Sequence, residues 1–196
     1  MLKSELAPLA EAVRRQMSER RWKHTLGVVG AARELAERFG GDADKAELAA
    51  LLHDYAKDWP AERLERILRD QDLAPDLLEY DKELWHAPVG AWAVREELGV
   101  ADEEVLDAIR WHTSGREGMS LLDKIVCLAD YIEPGRNYPG AEDIRELSRL
   151  DLDEALAAAF GNTIRFLLER GRLIYPLTVL ARNDLLRGAM RRREHS

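Results

Sequence analysis

One cysteine, Cys127, stands in the 196 residues, so no internal disulfide can form and a structural zinc site built on thiolates is excluded. Basic charge is short as well. Lys and Arg number 29 against 37 Asp and Glu, leaving a net charge of −8, which argues against a binder of nucleic-acid backbones. Small phosphorylated ligands are not excluded, because a metal ion can supply positive charge locally. No apolar run approaches the roughly 18 residues of a membrane helix. The opening Met1-Leu2-Lys3-Ser4-Glu5-Leu6 lacks the basic-then-apolar order of a secretion signal. No stretch alternates convincingly as a strand, and no repeat, low-complexity linker or break in composition divides the chain. The expectation is a soluble, cytoplasmic, all-α protein forming a single domain over residues 1–196.

What is present is helical periodicity. Residues 4–18 are predicted as an amphipathic helix with Ser4 as its cap. Residues 21–39 carry Val28, Ala32, Leu35, Ala36 and Phe39 on one face, with His24 on the same stripe. Gly40-Gly41-Asp42 ends that helix and caps the next, where Ala46, Ala49, Ala50 and His53 share a face. Pro60 opens a polar helix over 60–71 that reads as a surface cover, and 72–80 is turn-rich. Pro88 suits a first turn and places His86 at the entrance of a helix running to Leu98. Asp102 caps a helix in which Val105, Ile109 and His112 align. An apolar run over 119–132 leads into Asp130. A loop containing Arg136 lies between Pro134-Gly135 and Pro139-Gly140. Asp151 and Asp153 start a long helix ending at Gly171, and Pro176 begins the last one, which reaches the basic tail Arg191-Arg192-Arg193.

The stretch that organises the rest is Leu51-Leu52-His53-Asp54-Tyr55-Ala56-Lys57. Neighbouring helical residues point about 100° apart, so His53 and Asp54 can flank one ion while the carboxylate reaches a second. Alone, such a pair is an ordinary surface feature. The other histidines change its meaning. His195 lies in the tail, but His24, His53, His86 and His112 fall on, or at the head of, four different helices, three of them sharing a face with core residues. A single histidine on an apolar stripe is usually a hydrogen-bonded core residue. Four of them, with Asp54 and Asp130 at the ends of apolar runs, would each need a separate buried partner. A shared metal centre satisfies all six, and imidazole nitrogen with carboxylate oxygen suits first-row divalent ions. Six ligands exceed one tetrahedral site, so two ions are predicted. His24, His53, Asp54 and Asp130 surround one; Asp54, His86 and His112 surround the other. Such pairs activate water for hydrolysis of phosphate esters and anhydrides.

The order His24, His53-Asp54, His86, His112, Asp130 resembles the HD-domain phosphohydrolases. The stretches Arg21-Trp22-Lys23-His24-Thr25-Leu26-Gly27-Val28, His53-Asp54-Tyr55-Ala56-Lys57 and Leu84-Trp85-His86-Ala87-Pro88-Val89-Gly90-Ala91 narrow the likeness. So do Ala108-Ile109-Arg110-Trp111-His112-Thr113-Ser114-Gly115 and Leu128-Ala129-Asp130-Tyr131-Ile132-Glu133-Pro134. Together they resemble the YqeK family of bacterial symmetrical dinucleoside tetraphosphatases over a core of about 15–186. The resemblance implies an all-α HD bundle with a dinuclear metal site in its core, of di-iron type, with manganese, cobalt or zinc as alternatives. It implies hydrolysis of diadenosine tetraphosphate to two ADP, and a homodimer is compatible with it.

Around the metals, Lys57, Arg136 and Arg21 are the cations expected to face phosphates, Lys57 and Arg136 with catalytic roles beside Asp54. Thr113 and Asn183 are expected as further substrate contacts. Trp85, Trp92 and Trp111 could stack on a base, although tryptophans in a helical core usually pack. The tail arginines read as a solvated helix end complementing the helix dipole. Two rival readings are a nucleotidase acting on monophosphates and a nucleotide-binding sensor that keeps metal for ligand binding or structure.

Overall fold

The computed structural model describes residues 4–194; His195 lies outside them. A short 3-10 turn, Ser4–Leu6, leads into α1 (Ala7–Arg14). The single helix expected over 4–18 is therefore wrong at both ends. Ser18 is extended, its hydroxyl accepts from the Arg21 N–H, and its own N–H goes to Asp58 at 2.8 Å. It caps α2 (Glu19–Phe39) instead of closing α1. Gly40, at φ 74°, turns the chain out of α2 in the left-handed region that glycine tolerates. Asp42 then caps α3 (Ala43–Leu52) by accepting from Asp44 and Lys45. Here Ala46, Ala49 and Ala50 are fully buried beside Leu51 and Leu52, and small side chains let α3 lie close to α2 and α1.

Pro60 precedes α4 (Ala61–Asp70), which covers the surface but buries Leu64, Ile67 and Leu68. Two 3-10 turns, Pro75–Glu79 and Lys82–Leu84, occupy the turn-rich stretch before α5 (His86–Leu98). Asp102 caps α6 (Glu103–Trp111), and Ser120 with Asp123 forms a reciprocal capping box on α7 (Leu121–Ile132). α8 (Ala141–Ser148) was not expected. Its start is Gly140 at φ 86° with no side-chain cap, and only Ala141, Ile144 and Ser148 are buried, so neither a cap nor a long stripe announces it. α9 (Leu152–Glu169) and α10 (Pro176–Glu194) form the closing antiparallel pair.

α7 is the hub, packing against α2, α3, α6, α8 and α9. Its Ile125, Val126, Cys127, Leu128 and Ala129 are fully buried. The apolar core reaches past the 15–186 span on both sides, taking in Val13 and Ala189. The tail arginines are not merely a solvated end. Arg192 meets Asp153 at 2.6 Å and Asp151 at 3.1 Å, and Arg193 meets Glu154 at 2.5 Å. These carboxylates sit in the first turn of α9 or cap it, so the end of α10 is tied to the start of α9. Among the described residues no strand occurs, and no helix is long and apolar enough to cross a membrane.

Candidate metal centre

Five segments deliver the six expected ligands to one place. His24 lies in the second turn of α2, and Asp130 in the last turn of α7. His53 and Asp54 follow α3 directly, His86 is the first residue of α5, and His112 follows α6. Helix ends leave carbonyls without intrahelical partners, and the histidines use them. His53 Nδ1 donates to the carbonyl of Ala50 at 2.7 Å, His112 Nδ1 to Ile109 at 2.7 Å, and His86 Nδ1 to Glu83 at 2.8 Å. A carbonyl only accepts, so Nδ1 carries the proton and Nε2 is left as a lone-pair donor. His24 does the same through the carboxylate of Glu133, 3.1 Å from its Nδ1.

The four Nε2 atoms converge on Asp54. Its Oδ2 is 3.2 Å from His53 and 3.6 Å from His24; its Oδ1 is 3.1 Å from His86 and 3.8 Å from His112. Asp130 Oδ1 is 3.0 Å from His24 Nε2, and the Nε2 atoms of His86 and His112 are 3.1 Å apart. Each oxygen of Asp54 thus faces a different pair of histidines.

The residues fit a metal. His24 Nε2 and His53 Nε2 are buried, close to carboxylates but not aligned to hydrogen-bond with them. Buried polar atoms rarely stay unsatisfied, and a cation between these donors would satisfy both. His24, His53 and Asp130 place their donor atoms within 4.8 Å of one another, and so do His53, Asp54 and His112.

The electrostatics agree. Burial alone would push the Asp54 carboxyl up, but His53 and His86 outweigh it and hold Asp54 well below the usual carboxylate range. Burial likewise opposes ionisation of Asp130, and His24 and Arg136 reverse it. Burial, with His53 and His86 nearby, depresses His112 to about 3, and burial also lowers His86. His53 goes the other way: burial favours its neutral form, but Asp54 beside it raises its pKa above the ordinary 6.5. Below that raised pKa a metal ion must displace a proton from His53. As pH falls through that raised pKa a growing fraction of His53 carries the competing proton, and metal affinity falls in the same direction. Titration of a divalent ion into metal-stripped protein at several pH values should therefore show affinity weakening as the pH is lowered through the His53 pKa. An affinity that does not weaken on acidification would contradict the assignment.

The sequence matches the HD domain family over residues 21–135, a span that includes all six clustered residues. The chain belongs to the HD-domain family. It is 49% identical, over 90% of its length and 95% of theirs, to the symmetrical bis(5'-nucleosyl)-tetraphosphatase of Bacillus subtilis. It is 48% identical to the protein of the same name from Halalkalibacterium halodurans, over 90% of this chain and 94% of that one. A crystal structure from Clostridium acetobutylicum, described as a predicted HD superfamily hydrolase involved in NAD metabolism, superposes with a TM-score of 0.87 at 37% identity. It covers 95% of this chain and 98% of that one.

In this HD domain the expected cations all lie on carboxylates around the cluster. Arg21 is 2.8 Å from Asp54 Oδ2 and 4.0 Å from Asp58. Arg136 pairs with the Asp130 carboxylate and donates from Nε to the Asp130 carbonyl at 2.7 Å. Lys57 Nζ is 2.8 Å from Glu83 and 3.4 Å from His86 Nδ1. A cleft of about 700 Å³ lined by Arg20, Arg21, Lys23, His24 and Arg136 opens beside His24. Lys57 lies apart from it, in a pocket of about 140 Å³ with Lys82 and His86. Thr113 and Trp111 line a third, mostly apolar pocket of about 270 Å³ with Leu77, Pro88 and Tyr175. Trp85 gives its indole N–H to the Leu77 carbonyl, and Trp85 and Trp92 pack against the core. Asn183 is not brought to the cluster; on α10 its side-chain oxygen accepts from Arg182. Arg20, Lys23 and Glu133 were missed. Arg20 and Lys23 stand one turn apart with Gly27 beyond, a basic stripe that helical periodicity would have shown. Nothing local marks Glu133.

Proposed function

We propose that this HD-domain protein is a metal-dependent hydrolase that splits dinucleoside tetraphosphates at the centre, diadenosine tetraphosphate giving two ADP. The observation that carries the reading is the division of Asp54, one oxygen toward His24 and His53, the other toward His86 and His112. The printed names of the relatives support the substrate class. His24, His53, Asp54 and Asp130 would hold one ion, and Asp54, His86 and His112 the other. Iron is the first choice, with manganese, cobalt and zinc also suited to these donors. Bound there, two ions supply Lewis acidity and bring the pKa of water toward neutrality.

The chain's own residues do the rest. Arg20, Arg21, Lys23 and Arg136 give the cleft beside His24 its positive lining, in a protein acidic overall, and so bind a polyphosphate. Arg21 and Arg136 sit within reach of both the ligand carboxylates and the cleft, and guanidinium groups hold carboxylate and phosphate with the same planar fork. Lys57 approaches from the far side of His86. No carboxylic acid is needed to protonate the leaving group, because ADP departs as a phosphate whose second pKa is about 6. A nucleoside alcohol would be a far poorer leaving group. We read the chain as acting in the cytoplasm on this small nucleotide.

Turnover of diadenosine tetraphosphate in oxygen-18 water tests the reading. Attack on either central phosphorus yields two ADP, half of the molecules labelled on the terminal phosphate. ATP with AMP would overturn central cleavage. Adenosine released from AMP at a comparable rate would favour the nucleotidase, and metal-loaded protein that binds nucleotide without turnover would favour the sensor.

A further inference from the structure

We propose that Glu133 is a positioning residue for metal binding, which fixes His24 and makes one of the two ion sites tighter than the other. The inference rests on the two-ion reading above. Three of the clustered histidines give their Nδ1 proton to a backbone carbonyl, and His24 alone gives it to a carboxylate. That carboxylate is buried, a costly placement for an ionisable group unless its oxygens are bonded. Both are. Oε1 takes the His24 ring proton at 3.1 Å, and Oε2 takes the Gly135 N–H at 2.6 Å.

The backbone beneath it is pinned as well. The Glu133 carbonyl accepts from the Arg136 N–H at 2.9 Å and from the Arg145 guanidinium at 3.1 Å. Two glycines leave the carboxylate its space. A Cβ on Gly27 would stand 2.6 Å from Oε2, and one on Gly135 would stand 3.0 Å from both oxygens. Neither glycine has a positive φ, so the site uses their missing side chains and not their conformational freedom. Gly27 lies three residues beyond His24 on the same face of α2. Helix, ring and carboxylate therefore form one unit.

A charged acceptor on Nδ1 locks the ring and draws positive charge away from it, so Nε2 becomes a stronger donor than a carbonyl acceptor makes it. The ion held by His24, His53, Asp54 and Asp130 then has Glu133 behind it, whereas the ion held by Asp54, His86 and His112 has only main-chain carbonyls. The two sites are unequal by construction.

Cobalt(II) titration of the full, metal-stripped chain, followed by calorimetry and visible absorption, tests this. Wild type should bind two ions with distinct affinities. Glu133→Gln should weaken one of the two by roughly ten- to a hundredfold and leave the other unchanged. Gly27→Ala keeps every charge and improves helix propensity, yet displaces the carboxylate; it should weaken the same ion, and it carries the test should Glu133→Gln not fold. Two ions in wild type with both affinities unchanged in the variants, or both weakened equally, would overturn the inference while leaving the two-ion reading intact. Fewer than two ions in wild type would sink the two-ion reading and this inference with it.

Discussion

On the two-ion reading, Asp54→Ala should abolish the dinuclear site and lower activity by roughly a hundred- to a thousandfold, the loss expected when a principal electrostatic group is removed. No other clustered residue faces both histidine pairs, since His24 and His53 approach Oδ2 while His86 and His112 approach Oδ1. Removing it leaves His86 and His112 without any carboxylate, and the second ion should be lost outright. The first retains His24, His53 and Asp130 and should be held weakly or not at all. Asp54→Asn separates ligand loss from damage to the fold. Its shape is conserved but it offers one oxygen, so metal content near one ion per chain is expected. Metal analysis and circular dichroism on the same samples check both variants. Full metal content and activity in Asp54→Ala would end the bridging assignment.

Arg136→Ala and Lys57→Ala should behave in the opposite way, keeping the metals and losing rate. Arg136 pairs with Asp130 without being a ligand, so its removal takes away a competitor for that carboxylate and is expected to leave the ion bound. Lys57 stands behind His86, whose Nδ1 is already held by the Glu83 carbonyl, so the ring keeps its orientation without it. On the proposed reading Arg136 lends its charge to the phosphates from the cleft and Lys57 from behind His86, and each change removes that charge. An electrostatic contact to a transition state is worth about 2.7–4 kcal/mol, a hundred- to a thousandfold in kcat. A solvated surface cation would cost almost nothing. Steady-state kinetics with metal content measured in parallel discriminates the two. A loss below about threefold in Lys57→Ala would return that lysine to the surface, and metal loss in Arg136→Ala would mean it holds Asp130 in place.

Three of the clustered histidines, His24, His53 and His112, were legible because they lie where helical periodicity puts apolar side chains, and Asp54 and Asp130 because they end apolar runs. His53 follows Ala46, Ala49 and Ala50, and His112 follows Val105 and Ile109, so a polar group on those stripes demanded an explanation. Helix boundaries were legible where a side chain marks them, as at Asp42, Asp102 and Asp151. α8 was not, because Gly140 makes its turn with backbone alone. Ser18 was misread although its capping bond is local, to the Arg21 N–H; only its second partner, Asp58, lies 40 residues away. Glu133 escaped because its meaning comes from His24, 109 residues earlier in the chain. Asn183 was legible as helical, but periodicity on one helix cannot say which neighbour it meets. The tail arginines looked free because their carboxylate partners on α9 come close only once α10 has folded back.

The placement of the histidines at helix ends bears on how the chain folds. The donors come from segments far apart in sequence; His53 and His112 are oriented by carbonyls of α3 and α6, and His24 by Glu133. In a zinc finger the ion gathers a chain too small to hold itself together. Here Leu51, Leu52, Leu106, Ile109, Ile125 and Leu128, all fully buried, bring α3, α6 and α7 together through contacts of long sequence separation, the slow kind to form. That apolar core includes none of the six clustered residues, yet it holds the helices that carry them. A destabilising change in the core, remote from every ligand, therefore acts on metal loading through the fraction of chains that finish folding.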